Sequence, residues 1–220
     1  MTLKLIILRY VQKKSFKNTN GLIFLTFFAK NKITKIVNKK NLNFVIIPHG
    51  IDVKFFLKPR IQKDINEYTF DKPYKILYVS RIDMYKHQWN VIEAVMKLRR
   101  NGYPIELELI GSFYYKAMKK VRLIMSYDKN SSNYIKLLNS IDHNKIEQYY
   151  HNSNLFVFAS SCENLPNILI EAMASGLPIC SSDFGPMKEV LGDSGEYFNP
   201  TKSDEIYKSI LNLLKSSELR

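Results

Sequence analysis

The chain has 220 residues, of which 45% are hydrophobic and 24% charged, a composition typical of globular proteins. No apolar run reaches the roughly 18 residues of a membrane-spanning helix, and the low glycine and proline content excludes collagen-like and low-complexity chains. The two cysteines, Cys162 and Cys180, provide neither a disulfide framework nor a zinc motif, so we expect a reduced, cytoplasmic setting.

The net charge of +13 is concentrated in the N-terminal part of the chain. No Asp or Glu precedes Asp52, whereas ten basic residues do, and the rest of the chain has a net charge of +3. A basic segment of this kind is typical of contact with anionic lipid or another polyanion. Two interpretations of residues 1–40 stay open: contact with an anionic membrane surface, or a basic face that is solvated and has no partner. A nucleic-acid partner is disfavoured because the charge is confined to that segment.

The first fifty residues predict a few short elements. Residues 3–14 mix apolar and basic positions and favour an amphipathic helix, since the apolar run is too short for a signal peptide. The continuous apolar run 21–29 predicts a buried strand. A lysine- and asparagine-rich helical stretch then leads to the apolar residues 44–47, which end at Pro48-His49-Gly50.

From Tyr74 onward, apolar runs alternate regularly with helical stretches. This alternation predicts a parallel sheet covered by helices on both faces, which is a Rossmann-like α/β domain. Ligands bind such sheets beyond the carboxyl ends of the strands. The predicted strands are 75–79, 105–110, 134–138, 154–159 and 177–181, and the predicted helices lie near 89–100, 113–125, 143–150, 166–175 and 202–215.

The glycines exclude two familiar uses of this architecture. None of the eight forms GxGxxG or GxxxxGK[ST], which disfavours a nicotinamide-dependent enzyme and a P-loop NTPase. Arg81 and Lys86 follow the first regular strand instead. A guanidinium fork and an ammonium charge together suit a diphosphate. A solvated surface loop would explain the same two residues, and their place after a strand makes the two interpretations about equal.

A second candidate site follows the strand that ends near Ser160. Pro166 is well placed as the first residue of the next helix, and the backbone N–H groups around it would suit an anion or a sugar oxygen. These N–H groups belong to Asn164, Leu165 and Asn167.

Two carboxylates belong to the same segment. If the span were helical throughout, Glu163 and Glu171 would lie about 12 Å apart along the axis, beyond the roughly 5–9.5 Å of a glycosidase pair. Two carboxylates that hold different hydroxyls of one elongated ligand fit this separation better. Helix electrostatics for Glu163 and a surface charge for Glu171 would explain the spacing equally well.

The spacing of Glu163 and Glu171 resembles the E-x7-E motif of retaining glycosyltransferase family 4, the glycosyl transferases group 1. Five surrounding segments follow the order of that family, and the resemblance extends over nearly everything from residue 20 to residue 215. They are Phe44–Asp52, Ser80–Lys86, Glu171–Pro178, Gly185–Glu189 and Leu191–Gly195. The resemblance implies the nucleotide-sugar-binding C-terminal domain of a GT-B enzyme, with its Rossmann-like parallel sheet.

The resemblance also implies a role for each candidate residue. Arg81 and Lys86 would bind the donor diphosphate and stabilise the leaving group. Glu171 would hold the ribose hydroxyls, and Glu163 would contact the transferred sugar together with the amides of Asn164 and Leu165. The remaining candidates for substrate binding are Asn167, Gly50 and, against the base in the loop 140–143, Ile141.

The sequence departs from the family pattern at two positions. His87 stands where the family commonly has glycine after the lysine, and Pro166 stands where many members have glycine. There is no Asp-x-Asp motif, and the four histidines show no metal-ligand spacing. We therefore expect metal-independent chemistry with no cofactor, the nucleotide-sugar being a substrate.

The implied function is transfer of a sugar, with retention, from a nucleotide-sugar to a glycan or lipid-linked acceptor in surface polysaccharide assembly. The protein would be cytoplasmic and could bind the inner face of the membrane. Residues 1–40 would be a remnant of the N-terminal GT-B domain and residues 41–220 the donor-binding domain, so the chain would be truncated at both ends and inactive alone. The alternative is a non-catalytic module of the same fold that completes a partner's active site.

Overall fold

The computed structural model describes residues 3–37, 43–58 and 60–220, and the chain divides into two compact units, Met1–Gly50 and Ile51–Arg220. The first unit contains helix α1 (Leu3–Asn18), strand β1 (Leu22–Phe24), helix α2 (Phe27–Val37) and strand β2 (Phe44–Ile46). Because β2 pairs in parallel with β1, the units divide after Gly50. The expected boundary near residue 40 lies outside the described residues.

Two predictions for the first unit need correction. The predicted strand at 21–29 is wrong beyond Phe24, because Thr26 starts helix α2: its hydroxyl accepts the N–H of Ala29 at 3.1 Å. An apolar run alone does not distinguish a buried strand from a helix. Helix α1 is confirmed and extends to Asn18, but its apolar residues surround the helix instead of forming one face, and none of its residues is buried.

The second unit is built on a six-stranded parallel sheet in the order β5-β4-β3-β6-β7-β8. The fold class and all five predicted strand positions are confirmed. Strand β6 is buried along its whole length, as expected for a strand covered on both faces. The strands are β3 (Tyr74–Val79), β4 (Ile105–Ile110), β5 (Ile135–Leu138), β6 (Leu155–Phe158), β7 (Ile179–Ser182) and β8 (Glu196–Phe198).

The helices of this unit cover the sheet. Helix α3 packs against both α4 and α9, and α7 packs against α8. The helices are α3 (Gln88–Arg100), α4 (Tyr115–Met125), α5 (Ser131–Tyr134), α6 (Glu147–Asn152), α7 (Asn167–Ala174), α8 (Met187–Leu191) and α9 (Ser203–Lys215). Strand β8 and helices α5 and α8 were not predicted from the sequence, because they are too short to show a clear period.

The order of the strands determines where a ligand can bind. From β3 the chain continues to β4 on one side, whereas β6 lies on the other side of β3, so the winding direction reverses between β3 and β6. In open α/β sheets the binding crevice lies at this switch point, beyond the carboxyl ends of the strands. Arg81 and Lys86 follow β3, and Glu163 follows β6.

Candidate active site

The loop that carries Lys86 is held in a defined conformation. Residues Met84–Lys86 form a single 3-10 turn whose first N–H is capped by the Asp83 carboxylate at 2.7 Å. The hydroxyl of Tyr78, buried in the sheet, donates to the carbonyl oxygen of Lys86 at 2.6 Å. Lys86 is only 6% exposed, which is unusual for a lysine and requires a partner for its charge.

That partner is Glu163. The Lys86 ammonium donates to Oε1 of Glu163, and the hydroxyl of Ser160 donates to the same oxygen at 2.6 Å. The ammonium also lies 5.0 Å from the centre of the Phe158 ring and 5.1 Å from that of Tyr85. The structure therefore joins two residues that the sequence analysis assigned to different parts of a donor. The ammonium retains N–H groups for a phosphate, and Oε2 of Glu163 can accept from a sugar hydroxyl.

Glu171 lies in helix α7 and is 8% exposed. Its Oε2 accepts the hydroxyl of Tyr150 at 2.7 Å, and its Oε1 lies 4.0 Å from Nε2 of His143. Burial and the charge of Glu171 raise the pKa of Tyr150 well above its usual value, so the phenol stays protonated and acts as the donor. Oε1 is thus oriented beside an exposed imidazole, where it can accept from a ligand hydroxyl.

A cleft of about 270 Å³ opens at the carboxyl ends of β3 and β4. It contains Arg81, Ile141 and Glu171 together, as the sequence analysis expected of a common site. Arg81 has a side chain 55% exposed, with its Nε 3.9 Å from Asp83. The residues around the cleft are Val79, Ser80, Arg81, Ile110, Gly111, Ser112, Ser140, Ile141, His143, Ile146, Ile168 and Glu171.

Gly111 allows the strands to converge at this cleft. Its φ is +146°, and a β-carbon there would lie 2.5 Å from the carbonyl oxygen of Ser80. No side chain can occupy that space, because the nearby atoms are backbone atoms. The ends of β3 and β4 approach this closely only because residue 111 is glycine.

The remaining predicted residues have mixed outcomes. Pro166 occupies the position before α7, one residue earlier than expected, and the helix begins at Asn167. Asn164 and Asn167 are exposed and Leu165 is half-buried, and their contacts with a sugar stay predictions. Gly50 is the exposed last residue of the first unit, and its part in substrate binding also stays a prediction.

The residues that orient the two carboxylates were not predicted from the sequence. Ser160 could have been found as the first polar residue after β6. Tyr150 and His143 had no local signal, because their contacts join distant segments. Lys54 donates to the His143 carbonyl oxygen at 2.8 Å, and its Nζ lies 3.0 Å from Nδ1 of the same residue, which fixes that loop.

The described residues contain neither a cluster of metal-ligating side chains nor a membrane-spanning helix. No group of three or more His, Cys, Asp and Glu side chains in this part of the chain could hold a metal ion. None of the helices that the structure describes combines the length and the apolar character required to span a bilayer.

The family model of the glycosyl transferases group 1 matches residues 60–220, so the chain belongs to this family. Among curated proteins it is 27% identical over 212 residues to alpha-monoglucosyldiacylglycerol synthase of Acholeplasma laidlawii, covering 92% of this chain and 51% of that protein. It is 25% identical over 198 residues to the amylovoran biosynthesis glycosyltransferase AmsD of Erwinia amylovora, covering 89% and 52%. The chain spans about half the length of these relatives.

Solved structures agree on the fold. A sucrose-phosphate synthase from Thermosynechococcus elongatus superposes with a TM-score of 0.79 at 23% identity, covering 96% of this chain and 53% of that one. The Anabaena protein HepE in complex with UDP-glucose also gives 0.79, at 17% identity, covering 96% and 58%. These likenesses confirm the Rossmann-like architecture of a GT-B glycosyltransferase.

Proposed function

We propose that this chain is the donor-binding half of a retaining glycosyltransferase that transfers a sugar from a nucleotide-sugar to a glycan or lipid-linked acceptor. The observation that carries the proposal is the position of four side chains around the β3–β6 switch point. Arg81 and Glu171 line the cleft, and the buried Lys86–Glu163 pair lies on the loops that follow β3 and β6. The similarity to a glycolipid synthase and to an amylovoran biosynthesis glycosyltransferase supports the acceptor class.

The donor would lie along the carboxyl edge of the sheet. Its base and ribose would occupy the cleft against Ile141 and Glu171, its diphosphate would bind Arg81 and Lys86, and its sugar would reach Glu163. Because HepE shares this fold and forms a complex with UDP-glucose, a uridine nucleotide is the first donor to test.

The chemistry follows from the charges. When the bond between the sugar and the phosphate breaks, the nucleoside diphosphate leaves with the electron pair, and negative charge grows on its terminal phosphate. Arg81 and Lys86 would stabilise this charge. Since Lys86 is almost completely removed from water, its interaction with the phosphate would be stronger than that of a solvated lysine. Two cations at this position are consistent with metal-independent transfer.

We also propose that the first unit contacts an anionic membrane surface on the cytoplasmic side. Helix α1 has no buried residue, and the five basic side chains of the helix accompany exposed leucine and isoleucine residues. The basic side chains can interact with anionic lipid headgroups, and some of the exposed apolar side chains of the same helix can contact the bilayer interface. A lipid-linked acceptor would be presented at the same surface.

Titration of UDP, GDP and ADP by calorimetry tests the donor site. Arg81→Ala should weaken binding of the preferred nucleotide about tenfold or more, because it removes a charge-assisted hydrogen bond. The fold of the protein should not change, because the Arg81 side chain is exposed. Arg122→Ala, which removes an exposed arginine of α4, is the matched control and should bind as wild type. The proposal is wrong if none of the three nucleotides binds to the wild-type chain, or if Arg81→Ala binds as tightly.

A further inference from the structure

His87 has an unusual backbone conformation directly beside Lys86. Its φ of 50° and ψ of 30° make it the single non-glycine residue with a positive φ in the described part of the chain. A β-carbon in this left-handed region has a steric cost that glycine avoids. A histidine side chain kept at such a position calls for a compensating interaction of its own.

The imidazole has that interaction. Its Nε2 lies 2.9 Å from the hydroxyl oxygen of Ser161, and its ring packs edge-on against Trp89 at 5.4 Å. The Ser161 hydroxyl also lies 3.2 Å from the carbonyl oxygen of Tyr85, which can only accept. Because a hydroxyl has one hydrogen, Ser161 donates to Tyr85, and the Nε2–H of His87 donates to Ser161.

These bonds tie together the two loops that carry the buried ion pair. Tyr85 and His87 flank Lys86, and Ser161 lies two residues before Glu163. The backbone N–H of Ser161 also donates to the Tyr85 carbonyl at 2.8 Å, so Ser161 joins the lysine loop through three hydrogen bonds. One of the three depends on the His87 side chain, and a glycine at position 87 could not make it.

We propose that His87 is a positioning residue that clamps the Lys86 loop to the Glu163 loop, so that both charged groups are held in place before the donor's diphosphate and sugar arrive. This inference rests on the proposed function. The side chain does not itself contact the donor in this arrangement. It acts through Ser161. Its removal should therefore weaken the binding of ligands that reach Lys86 and leave unchanged the binding of ligands that occupy only the cleft.

The test compares His87→Gly, Ser161→Ala and the double variant with wild type, using UDP and uridine as calorimetric probes. Each single variant should bind UDP about three- to tenfold more weakly, the value of one hydrogen bond between neutral groups, and should bind uridine unchanged. The double variant should bind UDP as weakly as Ser161→Ala alone, because that single change already removes the His87–Ser161 bond together with the Ser161–Tyr85 bond. Ser132→Ala, which changes an exposed serine before β5, is the control and should bind UDP as wild type.

Stability separates positioning from a purely structural role. Glycine at position 87 adopts the left-handed conformation without strain, so the unfolding midpoint of His87→Gly should stay close to wild type while UDP affinity falls. UDP affinities equal to wild type in both single variants, equal losses for UDP and uridine, or additive losses in the double variant would each overturn the inference. If the proposed donor site is itself wrong, the wild-type chain will not bind UDP, and this result differs from each of the three that would overturn the inference about His87.

Discussion

Removing one partner of the Lys86–Glu163 pair should cost more stability than removing both. In Lys86→Met, the Glu163 carboxylate keeps the Ser160 hydroxyl as a partner but loses the only opposite charge in contact with it among the described residues, at a side-chain exposure of 15%. Breaking a buried ion pair from one side costs about 3–5 kcal/mol. Because Glu163 keeps its hydrogen bond from Ser160 and is partly exposed, we expect Lys86→Met to lower the free energy of unfolding by about 3 kcal/mol, the lower end of that range.

The double variant Lys86→Met, Glu163→Gln should recover most of that loss. It leaves no uncompensated charge, and the methionine can pack against the rings of Phe158 and Tyr85 that now face the lysine stem. We expect its free energy of unfolding to lie within about 1 kcal/mol of wild type. UDP binding should remain weaker than in wild type, because the ammonium that would bind the diphosphate is absent.

Urea unfolding followed by tryptophan fluorescence measures this difference. Trp89 is the single tryptophan and belongs to the second unit, so its signal reports on the domain that contains the pair. In a domain of this size, 3 kcal/mol corresponds to a shift in Tm of about 6–12 °C, which differential scanning fluorimetry resolves.

An exposed ion pair provides the control for this cycle. Lys97 and Asp204 lie 2.7 Å apart, with side chains 45% and 73% exposed. The cycle Lys97→Met, Asp204→Asn should give a much smaller coupling energy than the buried pair, because solvent screens both exposed charges. If the Lys86→Met single variant is as stable as wild type, or the double variant is no more stable than the single, the reasoning about the buried pair is refuted.

Three further predictions concern the ligand, pH and turnover. Glu171→Gln should weaken UDP binding by about 1.5–3 kcal/mol and leave pyrophosphate binding unchanged, since Tyr150 can still donate to the amide; equal losses would indicate a structural role. Burial and the charge of Lys120 lower the pKa of His87 in the folded chain, so the unfolded chain binds more protons as the pH falls through 6.5. The free energy of unfolding, measured with urea, should therefore decrease below pH 6.5 more steeply in wild type than in His87→Gly, and the same pH dependence in both proteins would contradict this. The 220-residue chain alone should bind UDP-sugars without transferring sugar to glycolipid acceptors, because positioning of the acceptor and exclusion of water need surfaces beyond the donor site; multiple turnover detected by mass spectrometry would contradict it.

The architecture of the second unit follows from the sequence alone. The central strands β3 and β6 are apolar and largely buried, and the regular alternation of strands with helices from Tyr74 onward allows little besides a parallel sheet. The same rule located the candidate site, since residues just after parallel strands meet at one edge. Arg81, Lys86 and Glu163 were found in this way. The first unit was harder, because the apolar run 21–29 contains both a strand and the start of a helix.

The pairing of the charged groups depends on the tertiary structure. Lys86 and Glu163 are 77 residues apart, and Tyr150 and Glu171 are 21 apart, so neither contact has a local spacing that a sequence pattern could show. The left-handed backbone at His87 and its bond to Ser161 likewise depend on two loops brought together by the order of the strands. Hydrophobic periodicity reports which face of an element is buried. The partner that neutralises a buried charge depends on which strands become neighbours, and in this sheet β3 lies beside β6.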